Sequence, residues 1–206
     1  MLKVKNVAHN FDGQLISFPD FELQEGERML ILGNSGVGKS TLVHLVSGLL
    51  SLKSGEIVFK DCLFNNLTNG DLNKLRNQHI GLSLQHSKFI ETLSFKEHIL
   101  LRLKSVNEKW SSFHDALVSK LGLSEMLNER PVNWSGGEQK RASFALACCN
   151  KCSLLICDEP TAGLDDKNCD SVLDLLLQIN EEFNTALMVV THDQRIQHKF
   201  NKVIKL

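Results

Sequence analysis

Apolar and polar positions alternate at the start of the chain. Leu2, Val4 and Val7, separated by polar residues, predict a half-buried strand, with a turn at Phe11-Asp12-Gly13-Gln14 and a second strand from Gln14 to Phe18. Four later stretches are dominated by apolar residues and read as buried strands: Met29 to Leu32, Ile80 to Leu84, Ser153 to Cys157 and Ala186 to Val190. Glu56 to Phe59, after a turn at Ser54-Gly55, and Phe200 to Leu206 add two more, the last as a terminal edge strand. Between them the period changes. Leu42, Val43, Leu45, Val46 and Leu49 recur at helical spacing, as do shorter patterns over Leu72 to Arg76 and Val172 to Ile179. From His86 to Asn133 strand patterns stop, and Leu93, Phe95, Ile99, Leu100, Leu103, Phe113, Ala116, Leu117, Leu121 and Leu123 predict a mainly helical subdomain set into an α/β core.

The loop between the Met29 to Leu32 strand and the following helix carries the chemistry. Gly33, Asn34, Ser35, Gly36, Val37, Gly38, Lys39, Ser40 and Thr41 fit G-x-x-x-x-G-K-[ST] without a mismatch. The glycines let successive N–H groups curl around an anion at a helix N-terminus, Lys39 supplies a point charge to outer phosphates, and Ser40 offers a hydroxyl to Mg²⁺. Other polar residues stand where buried strands end. Gln85 follows one, Asp158 and Glu159 follow another, and His192 follows a third. In open α/β sheets ligands bind at that edge. Neighbouring side chains on an extended chain face opposite ways, so the two acids divide the work: Asp158 for the Mg²⁺ shell, Glu159 for polarising the attacking water. Ser135-Gly136-Gly137-Glu138 opens a helix to about Cys149. It satisfies both an ordinary capping box and a second anion-binding helix end. Phe11 is the aromatic best placed to stack on a purine, and a core phenylalanine is the equal alternative.

Lys and Arg total 23 against 24 Asp and Glu, a balance that gives no support to nucleic-acid binding through phosphate neutralisation. No apolar run approaches membrane-spanning length and no signal-peptide pattern follows Met1, so a cytoplasmic location is expected. The six cysteines include a Cys149-x-x-Cys152 pair, but no second Cys/His pair stands at zinc spacing, and they read as small apolar core residues. At 206 residues the chain suits a single domain, with 1–85 and 134–206 as core and 86–133 as the helical subdomain.

Together these motifs resemble the nucleotide-binding subunit of ATP-binding cassette (ABC) transporters, over nearly the whole chain. The phosphate loop matches the Walker A motif, Gln85 the Q-loop, Ser135 to Gln139 the signature, Ser153 to Glu159 Walker B, Ala162 to Asp165 the D-loop and His192 the switch histidine. Ser135 to Arg141 looks most like the branch serving lipoprotein release, macrolide export and cell division. The resemblance implies a P-loop NTPase core with a mainly parallel sheet, an N-terminal antiparallel β subdomain and the inserted helical one. It implies ATP and Mg²⁺ as cofactors, with Ser40, Gln85 and Asp158 at the metal, Glu159, His192 and Gln85 in catalysis, and Phe11 against adenine. It further implies a homodimer closed head to tail, with Ser135, Gly136, Gly137, Glu138 and Asp165 acting across the interface. Transmembrane permease subunits on separate chains and a peripheral place on the cytoplasmic face of the membrane complete the expectation, and no nucleic acid is expected. A regulatory cassette of the cell-division type is the alternative. Trp134, where the signature usually begins with leucine, and Cys152, where proline is common, depart from the pattern.

Overall fold

The computed structural model describes residues 1–11, 14–85 and 88–206, without the side chains of Phe11 and Gln14. Two sheets form the frame. The first is antiparallel: β1 (Leu2–Phe11) pairs with β2 (Gln14–Ser17), β3 (Phe21–Leu23) and β5 (Ser54–Phe59), and β5 pairs with β6 (Cys62–Leu63). The second is wholly parallel, in the order β10 (Lys202–Lys205), β4 (Arg28–Leu32), β9 (Ala186–Thr191), β8 (Leu154–Asp158), β7 (Ile80–Ser83). The helices are α1 (Lys39–Val46), α2 (Asn69–His79), α3 (Phe95–Ser105), α4 (Ser112–Lys120), α5 (Gly136–Cys148) and α6 (Asp166–Phe183).

The parallel sheet divides the core into two apolar layers, because alternate side chains of each strand point to opposite faces. Met29, Ile31, Leu154, Ile156, Met188 and Val190 face the antiparallel sheet and α1. Leu30, Leu32, Leu155, Cys157, Leu187 and Val189 face α3 to α6. Burial on both sides explains why β8 and β9 read as unbroken apolar runs rather than as alternating ones. Among the described residues the helical segment has no separate core. Phe95, Ile99 and Leu103 of α3 and Leu117 and Val118 of α4 join the layer that contains Phe144 of α5 and Leu173 of α6.

Cap chemistry moves several boundaries beyond the apolar patterns. Helix α2 starts earlier than Leu72 because Thr68 and Asp71 form a capping box. Helix α6 runs from an Asp165 cap to Asn184 in a left-handed conformation, well past the apolar stretch Val172 to Ile179. Ser54-Gly55, expected as a turn, is instead the start of β5. Gly55 has φ +83° and lies against the β1 irregularity between Lys5 and Ala8, where a Cβ would meet Asn6 O at 2.4 Å. Only glycine permits that approach. The strands β3 and β6 are too short to leave a period in the sequence.

Candidate functional site

Four neighbouring strands of the parallel sheet deliver the chemistry to one edge. Gly33 follows β4, His192 follows β9, Glu159 follows β8 and Gln85 lies just beyond β7. A cavity of about 370 Å³ at this edge is lined by Ser35, Gly36, Gly38, Lys39, Ser40 and Thr41 of the phosphate loop, by Gln85, Glu159 and His192, and by Ile16 from the antiparallel sheet. The loop turns into α1 at Gly38, whose φ of +100° is a left-handed conformation that a side chain would strain. Val37 packs its Cγ2 close to Gly33 and fixes the other side of the loop.

Lys39 is buried and donates to the carbonyls of Gly33 at 2.9 Å and Asn34 at 3.0 Å, with Glu159 Oε1 at 3.4 Å. Its ammonium is therefore held by two backbone carbonyls beside the Glu159 carboxylate, contacts that phosphate oxygens can replace. Ser40 Oγ donates to Asp158 Oδ2 at 3.2 Å, while Asp158 Oδ1 is buried with no partner among the described residues. An unpaired buried carboxylate oxygen is costly. Burial pushes the Asp158 carboxyl up, reinforced by the Glu159 charge, against the Ser40 hydrogen bond and Lys39. A divalent cation would satisfy that oxygen, and a hydroxyl with a carboxylate is the hard-oxygen donor set that Mg²⁺ takes. These residues fit the ion.

Glu159 sits differently. Its Oε2 accepts from Thr191 Oγ1 at 2.7 Å and its Oε1 is bonded to His192 Nδ1 at 2.9 Å. Burial alone would raise its carboxyl, but the hydrogen bonds from His192 and Thr191 and the charges of His192 and Lys39 outweigh burial and hold it below the usual range. It is an ionised acceptor aimed into the cavity. Its φ is +51°, left-handed and unusual for a residue with a side chain.

Neither the Ser135 to Glu138 segment nor Asp165 lines this cavity. Ser135 and Glu138 form the capping box, with Ser135 Oγ to Glu138 Oε2 at 2.6 Å and Ser135 N to Glu138 Oε2 at 2.8 Å. Among the described residues no atom lies within 4 Å of where a Cβ on Gly136 would sit, so the first turn of α5 is open there. Asp165 caps α6 through Asn168 N at 2.9 Å. Phe11's side chain lies outside the described residues. Thr191, Ile16 and Lys140 are site neighbours that sequence reading does not single out. Thr191 has a recoverable signal, a polar residue ending a buried strand beside the strand of the two acids. The other two arise from packing between elements and leave none.

A second hollow, about 540 Å³, opens beside Gln85 between the parallel sheet and α3. Leu82, Leu84, Phe89 and Leu146 wall it. Arg76 and Arg102 also line it, bonded to neutral acceptors at Gly48 O and Asn77 Oδ1.

A phosphate loop, a paired hydroxyl and carboxylate, and a second oriented acid at the edge of a parallel sheet define a nucleoside triphosphatase. Residues 17–162 match the ABC transporter family, and the chain belongs to it. It is similar to the lipoprotein-releasing system ATP-binding protein LolD of Hydrogenovibrio crunogenus, at 34% identity over 100% of this chain and 93% of that protein. It is also similar to the dimeric bacterial ABC transporter cassette MJ0796, with a TM-score of 0.87, 28% identity and coverage of 100% and 94%. The same cassette, solved as a dimer in a post-hydrolysis state bound to ADP and Pi, gives a TM-score of 0.86 at 29% identity over 100% and 94% of the two chains. This protein is an ABC ATPase, the subunit that binds and hydrolyses ATP for a transporter.

Proposed function

We propose that this ATPase works as a head-to-tail homodimer on the cytoplasmic face of the membrane, where it drives the release or export of a lipoprotein-like cargo through separate membrane subunits. The observation that carries this reading is the separation of its two anion-facing ends. The phosphate cavity holds Lys39, Ser40, Glu159 and His192, while the open first turn of α5 with Gly136 lies outside it. A second copy can bring that turn, with Ser135, Gly137, Glu138 and Asp165, over the phosphates. Aligned helix N–H groups favour an anion there.

Within one subunit, Gly33 to Thr41 hold the triphosphate of ATP, and Lys39 exchanges carbonyl partners for phosphate oxygens. Ser40 and Asp158, with Gln85 at the cavity wall, would hold Mg²⁺, which would supply positive charge to the phosphates. Glu159 accepts a proton from the attacking water, with Thr191 keeping that carboxylate seated and His192 bonded to it from the open side of the cavity. No helix among the described residues is long and apolar enough to cross a membrane, so attachment falls to protein contacts. The hollow beside Gln85 supports a docking place for an apolar segment of the membrane subunit carrying a carboxylate for Arg76 and Arg102. The LolD relative supports the lipoprotein cargo.

The test is Glu159→Gln with ATP and Mg²⁺, read by light scattering and steady-state hydrolysis, followed by pull-down from detergent-solubilised membranes. A stable dimer without turnover, carrying an integral membrane subunit, is expected. A monomer at every ATP concentration overturns the dimer, undiminished hydrolysis overturns the role of Glu159, and capture of soluble proteins only overturns the transporter assignment.

A further inference from the structure

Glu159 holds a left-handed backbone conformation that a non-glycine residue keeps only when its surroundings over-determine it. Its N–H donates to Val190 O at 2.8 Å, which ties it to β9. Its carbonyl accepts from Ala162 N at 3.3 Å, three residues along the same loop, and from Lys140 Nζ at 3.3 Å. Lys140 is thus the contact to that carbonyl that comes from a different element. It stands in the second turn of α5, the helix whose first turn opens outward at Gly136.

We propose that Lys140 is a positioning residue for hydrolysis: by binding the Glu159 carbonyl it fixes the carboxylate over the cavity and links its placement to the seating of α5. This rests on the reading of Glu159 as the group that activates water. The ammonium is half-buried, and its charge lies close to Cys157, Asp158 and Glu159. Burial pulls its pKa below the ordinary lysine value, against the opposing charges of those neighbours. A charged donor to a carbonyl is stronger than a neutral one. Because α5 also carries the glycines proposed to face the partner's phosphate, closure of the dimer on α5 is transmitted through this lysine to the carboxylate serving the subunit's own ATP. The two sites then fire together rather than independently.

Lys140→Met removes the ammonium and keeps the stem, and Lys140→Arg keeps a cationic donor. Lys140→Met is expected to lower kcat by about tenfold or more while the KM for ATP and the affinity for a fluorescent ATP analogue stay within about twofold. Lys140→Arg is expected to restore most of the rate. Should the methionine variant fail to fold, Lys140→Ala serves in its place, since alanine is the best helix former. An unchanged kcat in a folded Met or Ala variant overturns the proposal. So does a fall in kcat matched by an equal rise in KM and not rescued by arginine. If Glu159→Gln alone hydrolyses ATP at the wild-type rate, it is the reading of Glu159 that fails instead.

Discussion

His192 Nδ1 lies 2.9 Å from Glu159 Oε1, yet the histidine side chain is 59% exposed and the glutamate only 8%. The buried acid is held rigidly by Thr191 as well, while the histidine reaches it from the open side of the cavity. His192 can therefore turn towards a bound phosphate without unseating Glu159. His192→Ala is expected to lower turnover by about 10²-fold, the range for loss of one oriented proton-handling partner, with ATP affinity little changed. Single-turnover hydrolysis beside equilibrium binding of a fluorescent analogue would separate the two. A large loss of affinity with intact single-turnover chemistry would show that His192 binds ground-state nucleotide only.

The unpartnered Asp158 Oδ1 and the Ser40 to Asp158 bond set a prediction for the metal. Ser40→Ala removes a hydroxyl donor but leaves the carboxylate and the loop backbone. The Mg²⁺ concentration for half-maximal nucleotide binding is expected to rise about tenfold, while metal-free nucleotide binding stays unchanged. Titration of Mg²⁺ against fluorescent ATP, with EDTA as baseline, measures both. An unaltered Mg²⁺ midpoint would place the metal away from Ser40.

Both sheet layers and most of the site were legible because their causes are local. Buried strands such as Leu154–Asp158 are apolar on both faces, and each ends in the polar residue it presents. The phosphate loop is contiguous, so its glycines and Lys39 announce themselves in nine residues. What stayed hidden depends on pairs distant in sequence. The length of α6 follows from Asp165 and Asn184 rather than from its apolar stripe. The contact of Lys140 with the Glu159 carbonyl depends on how α5 crosses β8, which no period encodes. Trp134, the departure from the usual leucine, proves to be a packing residue. Its ring meets Phe95 edge-on at 5.4 Å and seats the signature helix on α3.

The cysteines were read as apolar filler, and the structure shows six free thiols with five of them buried. Burial pushes the Cys149 thiol up to about 12 and Cys157 up as well, so neither presents a thiolate near neutral pH. Among the described residues no cluster suited to a metal ion occurs. A chromogenic disulfide reagent at pH 8 is expected to titrate about one thiol promptly, Cys62, and all six only in denaturant. Abolition of the prompt phase in Cys62→Ser would confirm its source. Prompt reaction of a second thiol would mean that one of the buried sites, Cys148, Cys149, Cys152, Cys157 or Cys169, opens locally.

Asp193 offers a test of how the loop after β9 is locked. Its Oδ2 accepts from Thr161 Oγ1 at 2.9 Å and from Arg195 Nη2 at 2.8 Å, and its Oδ1 from Arg195 N and Nε. Arg195 also reaches Asp166 and the Leu164 carbonyl, so one carboxylate braces the segment after His192 against the Ala162 to Asp165 turn. The Arg195 hydrogen bonds, with Thr161, hold the Asp193 carboxyl down at about 2 against the opposing effect of burial. A depressed native pKa means that the unfolded chain takes up the proton first as pH falls. The stabilisation is complete above the unfolded value of about 4 and is lost as pH drops towards about 2. Asp193→Asn is therefore expected to cost about 1 to 2 kcal/mol at pH 7, with a gap to wild type that shrinks between pH 4 and pH 3. Urea midpoints across that range measure it. A gap that stays constant through the acid range would mean that the loss comes from packing and that Asp193 carries no linked proton.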